Sequence, residues 1–177
     1  MQKKNIFVIN GSASENSSNE RLIDRIIDLT KDDFDVTLFN GLKTLPHFDP
    51  KQSGEDPPVP VKQFRSNIEA ADGVIICTPE YIFSIPSGLK NAIEWCVASV
   101  VFTDKPTGIV TASASGQKGH EELIMIMRTV GAKFTDDTTL LIQGIKSKID
   151  LKGVITDVAT EEDLKKFVAA YAELVRH

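Results

Sequence analysis

Short, uninterrupted apolar runs recur along the chain with segments of helical period between them, and this alternation restricts the fold more than any other feature. Gly73-Val74-Ile75-Ile76-Cys77 has no polar face, and Ile6-Phe7-Val8-Ile9 repeats the pattern. A strand buried on one side alternates apolar with polar residues, whereas a strand apolar throughout must be covered on both sides. Helices on each face of a parallel sheet supply that cover. Strands are expected at Asn5 to Asn10, Asp35 to Phe39, Gly73 to Thr78, Thr107 to Ala112 and Thr138 to Ile142.

Between them lie amphipathic helices. The first buries Leu22, Ile23, Ile26 and Ile27 behind a Ser17-x-x-Glu20 capping box. The second spans about Val59 to Ala71, the third about Ser87 to Ala98, and the fourth about Glu121 to Val130 before Gly131. The last opens at Thr160-x-x-Asp163. Gly41 to Pro58 reads as a Pro-rich surface loop, and Gln143 to Val158 has no clear period. At 177 residues and 41% apolar content, residues 1–177 are expected to form a single domain. Because crossovers are right-handed, few topologies remain. The expected class is α/β, a flavodoxin-like three-layer sandwich on a five-stranded parallel sheet of order 2-1-3-4-5.

That order places ligands at the carboxyl ends of the strands, where the chain reverses direction. The loop after the first strand, Gly11 to Asn19, offers Ser12, Ser14, Ser17, Ser18 and Asn19 at the positive end of a helix dipole, a cradle for a phosphate. It lacks the lysine of a Walker loop and the GxGxxG of a dinucleotide fold. Read alone it is equally an ordinary capped helix start. The loop after the third strand, Thr78 to Gly88, is stiffened by Pro79 and Pro86 and carries Tyr81 and Phe83, which suits a flat aromatic ligand or merely caps the core. The loop after the fourth, Ala112 to His120, brings Ser115 and Gly116 to the same edge.

Other classes are excluded on composition. A net charge of −5 without a Lys/Arg cluster disfavours nucleic acid and anionic membranes. No apolar run approaches the roughly 20 residues of a membrane span, and the N-terminus has no signal-peptide pattern, so a cytoplasmic location is expected. Cys77 and Cys96 lie on apolar faces without metal or disulfide spacing, and His47, His120 and His177 form no triad, so neither a metal site nor catalytic residues are expected. Glu80 reads as structural, with its backbone rather than its carboxylate meeting a ligand, and Trp95 as buried or at a subunit contact.

Gly11-Ser12 with Ser17 and Asn19, then Pro79-Glu80-Tyr81 with Ser84, Pro86 and Leu89-Lys90-Asn91-Ala92-Ile93-Glu94-Trp95, then Ser115-Gly116-x-x-Gly119, resemble the NADPH-dependent FMN reductase family. Leu45-Pro46-x-Phe48-Asp49-Pro50 fits its loop after the second strand. The family includes quinone, azo-dye and chromate reductases. The resemblance implies bound FMN, NADPH or NADH as electron donor, a small-molecule acceptor and a homodimer or homotetramer. It implies that Gly11, Ser12, Ser14, Ser17, Ser18 and Asn19 hold the phosphate, while Pro79, Glu80, Tyr81, Ile82, Phe83, Ser84, Ser115 and Gly116 hold the ring. Amides near Ser115 and Gly116 are expected to stabilise negative charge on the reduced ring. Two departures stand out: Ser14 where many members have Arg, and Ile82 where they usually have Asn. They predict weaker FMN binding or an altered substrate face. An FMN electron carrier fed by a protein partner, and a ligand-binding domain without turnover, are the competing readings. Val97, Val100, Val101 and Phe102 form an apolar stretch suited to dimerisation.

Overall fold

The period-2 alternation of the strands decides which helix covers which face. In the computed structural model, which describes residues 2–177, the elements are β1 (Lys4–Asn10), α1 (Ser18–Thr30), β2 (Phe34–Phe39), α2 (Val59–Ala70), β3 (Gly73–Thr78), α3 (Ser87–Glu94), β4 (Thr107–Ser113), α4 (Gln117–Thr129), β5 (Thr139–Gln143) and α5 (Val158–Arg176). The sheet is parallel with order β2-β1-β3-β4-β5, the expected topology. Phe7, Ile9, Val74, Ile76 and Ile109 point to one side, against Val61 and Phe64 of α2, Leu89 and Ile93 of α3, and Leu123 and Met127 of α4. Their neighbours Ile6, Val8, Ile75, Cys77 and Val110 point to the other, against Leu22, Ile23 and Ile26 of α1 and Leu164, Phe167 and Tyr171 of α5. All six residues of β3 are buried, whereas the edge strands β2 and β5 are only partly so. Each fully buried Ile or Leu stabilises the fold by about 1.5–3 kcal/mol, so the central strands dominate it.

Helix ends depart from the expectations for local reasons. Ser17 Oγ accepts the Glu20 amide at 3.1 Å, and this one bond is the Ser17 cap of α1. α3 stops at Glu94 rather than Ala98: from Cys96 the amides bond three residues back, Cys96 N–H to the Ile93 carbonyl at 2.9 Å and Val97 N–H to the Glu94 carbonyl at 3.1 Å, and the Arg65 guanidinium of α2 takes the Trp95 carbonyl, at 2.7 Å from Nε. Trp95 itself is buried, and its indole N–H donates to the Pro46 carbonyl at 2.7 Å. α4 begins at Gln117, a turn before the expected Glu121. α5 begins at Val158, capped by Asp157, whose carboxylate accepts the Thr160 amide at 2.9 Å, so Thr160 is not the cap. The Thr160 contacts hold the Asp157 carboxyl below its ordinary range.

The segment from Gly41 to Pro58 is more ordered than a surface loop. It contains 3₁₀ turns at Leu42–Thr44 and Pro50–Gln52, buries Leu42 and Leu45, and is clamped by Asn91, which takes the Phe48 amide at 2.7 Å and donates to the Pro46 carbonyl at 2.9 Å. After β5, a turn at Ile145–Ser147 buries Ile145, and an Ile149–Ile155 bridge closes the connection to α5. In the expected dimerisation stretch, Val97 and Val100 are exposed but Phe102 is in the core. Both cysteines are buried free thiols; burial pushes Cys77 up and raises Cys96 to about 12.

Candidate functional site

The β1–α1 loop is shaped by a close crossing at its first residue. A Cβ on Gly11 would lie 2.4 Å from Thr78 Oγ1, so only glycine lets the end of β1 pass the end of β3, and its amide donates to the Cys77 carbonyl at 2.8 Å. Asn10, buried at the strand end, then turns the chain: its Oδ1 accepts the Ser12 amide at 3.0 Å and its Nδ2 donates to Asn40 Oδ1 at 2.9 Å. Ser12 Oγ accepts the Ser14 amide at 3.2 Å, and Asn16 takes a left-handed conformation with φ 53°. The chain enters α1 at Ser18. The amides of Ser18 and Asn19 therefore have no intrahelical acceptor, and they sit at the positive end of the dipole.

Two adjoining cavities open on this loop. One, of about 500 Å³, is bordered by Ser17, Ser18, Asn19, Pro79 and Ala112 to Ala114. The other, of about 430 Å³, extends toward Asn40, Leu42, Lys43 and Pro86 to Gly88 and includes Gly11. They share Ser12, Ser14, Glu15 and Tyr81. Serines of the β1–α1 loop thus line a cleft that is also bordered by Pro79 and Tyr81, which brings the loops after β1 and β3 side by side.

Not every expected residue faces that cleft. The Asn19 side chain is buried and structural: Nδ2 donates to the Ala112 carbonyl at 3.0 Å and Oδ1 accepts from Cys77 Sγ at 3.4 Å, leaving only its backbone amide for an anion. Glu80 turns away. Its Oε2 accepts the Gly119 amide at 2.8 Å and its Oε1 the Gly116 amide at 3.2 Å, so the start of α4 is capped by a carboxylate from another loop. This corrects the expected role of Gly116, whose N–H is bonded to Glu80 instead of being open to stabilise a ring. Gly116 itself, at φ 83°, makes the turn into α4. Ser115 is exposed and Ser84 is taken up by Glu122, which accepts from Ser84 Oγ at 2.7 Å and the Ile85 amide at 2.9 Å.

Tyr81 to Ser84 form a two-residue hairpin, closed by Tyr81 N–H to Ser84 O at 2.9 Å and Ser84 N–H to Tyr81 O at 3.1 Å. Its tip residues Ile82 and Phe83 have φ of 51° and 59°, the conformation for which Asn-Gly is the favoured pair. They are 95% and 74% exposed, outside both cavities.

His120, in the first turn of α4, contacts Thr111 Oγ1 through Nδ1 at 2.9 Å, and burial lowers its pKa. Among the described residues no three His, Cys, Asp or Glu side chains cluster as metal ligands. Sequence reasoning missed Asn10, Arg21, Lys146 and Glu122. Asn10 carried a signal, a polar residue closing an apolar run directly before Gly11. Lys146 lies in the segment without period, and it carried none.

The chain has relatives along its whole length. The sequence pattern of NADPH-dependent FMN reductases matches residues 4–146. The quinone reductase of Escherichia coli (strain K12) is 27% identical over 182 residues, covering 99% of this chain and 97% of its own. The NADPH azoreductase of Bacillus sp. (strain OY1-2) is 28% identical over 177 residues, covering 96% and 95%. Among solved structures, the flavoenzyme NAD(P)H:(acceptor) oxidoreductase FerB from Paracoccus denitrificans superposes with a TM-score of 0.81 at 25% identity, over 98% of this chain and 97% of that one.

Proposed function

The chain belongs to the NADPH-dependent FMN reductase family, and from that premise we propose an FMN-dependent NAD(P)H oxidoreductase whose electrons go to a small quinone- or azo-type acceptor. The observation that carries the site is the β1–α1 loop, whose hydroxyls and open first-turn amides border a cleft walled by Pro79 and Tyr81. The residues present fit a flavin monophosphate. Ser12, Ser14, Ser17 and Ser18, with the amides of Ser18 and Asn19, hold its phosphate, while Pro79 and Tyr81 flank the ring at the junction of the two cavities.

When bound, FMN would supply the two-electron redox chemistry between the nicotinamide and the acceptor. The protein needs no acid, base or nucleophile for this. Its part is orientation: Glu80 and Glu122 fasten the Tyr81 hairpin to α4, so that the ring-side wall is rigid. Gly11 keeps the phosphate loop against β3.

Self-association through exposed Val97 and Val100 after α3, and work in the cytoplasm, belong to the same reading. No helix among the described residues is long and apolar enough to cross a membrane. The test is turnover without a protein partner. Purified chain, FMN, NADPH and a benzoquinone should consume NADPH at a rate proportional to enzyme. Consumption only after adding a separate reductase would assign the chain to electron carriers instead.

A further inference from the structure

The loop from Gly11 to Asn19 carries no cation of its own, yet the cleft is not short of positive charge. Arg21 and Lys146 both line the 500 Å³ cavity that Ser12, Ser14, Ser17 and Ser18 face. Arg21 is held in place by backbone alone: Nη2 donates to the Asn16 carbonyl at 2.9 Å and Nη1 to the Asp150 carbonyl at 3.2 Å, with no carboxylate among the described residues neutralising it. Lys146 sits on the turn after β5. That turn is fixed by left-handed Gly144, whose amide donates to the Ala114 carbonyl at 3.1 Å, and by Ile145, which is 3% exposed. Lys146 pairs with no carboxylate among the described residues, and it is the one lysine on the wall of this cavity. Glu15, the acid on the same cavity, leaves the wall cationic in balance.

We propose that Lys146, supported by Arg21, is the counter-ion for the terminal phosphate of the bound flavin, supplying from the far edge of the sheet the charge that the serine loop lacks. The inference rests on the FMN reading of the cleft. A phosphomonoester carries about −1.5 to −2 charges at neutral pH, and hydroxyls and amides alone leave it uncompensated. A cation on an anchored turn compensates it at little entropic cost, while a flavin without phosphate gains nothing from it.

The test compares FMN with riboflavin on the full chain freed of flavin, by quenching of flavin fluorescence at low and high salt. For Lys146→Gln the FMN dissociation constant should rise about tenfold at low salt, with riboflavin unchanged. The salt dependence of FMN binding should shrink in the variant, and Lys146→Arg should restore both. Because Lys146 is exposed, the unfolding midpoint should not move. Unchanged FMN affinity, or equal loss for both flavins, would overturn the proposal while leaving the FMN reading intact. Failure of the unmutated chain to bind either flavin would overturn both, and it would be seen before any variant is made.

Discussion

Glu80 Oε2 accepts the Gly119 amide at 2.8 Å, so the loop after β3 caps the helix that follows β4. Together with the Gly116 bond at 3.2 Å, this charged cap supplies what α4 lacks at its own N-terminus, where Gly116 has no side chain to offer. Replacing Glu80 with Ala should destabilise the protein by about 1–2 kcal/mol, read as a lower denaturation midpoint. Glu80→Gln should recover part of the loss, since one oxygen still accepts.

The Ile82-Phe83 tip is strained. Each residue occupies a left-handed conformation that costs an L side chain about 1–2 kcal/mol, and neither buries its apolar surface in return. Exchanging the pair for Asn-Gly should raise stability by about 1–3 kcal/mol. Chemical denaturation measures it; no gain would mean that the tip is relieved by contacts this chain does not make alone.

Gly11→Ala would bring a methyl group to 2.4 Å from Thr78 Oγ1 and 3.1 Å from the Thr78 backbone. The ends of β1 and β3 must then part, at about 1–3 kcal/mol, and the phosphate loop moves with them. Weakened FMN binding alongside a lower unfolding midpoint is expected, and an unperturbed variant would contradict the close crossing.

Burial against Thr111 keeps the His120 pKa below its ordinary value of 6.5. The folded state thus holds the neutral ring, while the unfolded chain takes up a proton near pH 6.5. Stability contributed by this group is present above that pH and is lost as pH falls toward the lower folded-state value. Denaturation midpoints at pH 7.5 and 5.5 should differ more for the unmutated chain than for His120→Gln.

Much of the fold was legible because burial on both faces leaves a run such as Val74 to Ile76 no polar residue, and that pattern belongs to few architectures. Helix ends were less so. The first turn of α4 is polar and its cap comes from Glu80, distant in sequence, so no local signal marks it. The end of α3 is likewise met by Arg65 from another helix. Within the cleft, residue types alone pointed to the serine loop, but not to the Asn19 side-chain amide being spent on the Ala112 carbonyl or to Lys146 lining the same cavity as the serines. Those facts depend on which strand ends lie side by side, which periodicity does not encode.

The central claim, that the β1–α1 cleft holds FMN and that NADPH reduces it there, is tested most directly by an anaerobic titration of the FMN-loaded chain with NADPH in the visible range. Loss of the oxidised-flavin band, complete near one equivalent of NADPH and reversed by a quinone, is the predicted result. A protein that binds no flavin, or whose flavin band survives excess NADPH, would contradict it.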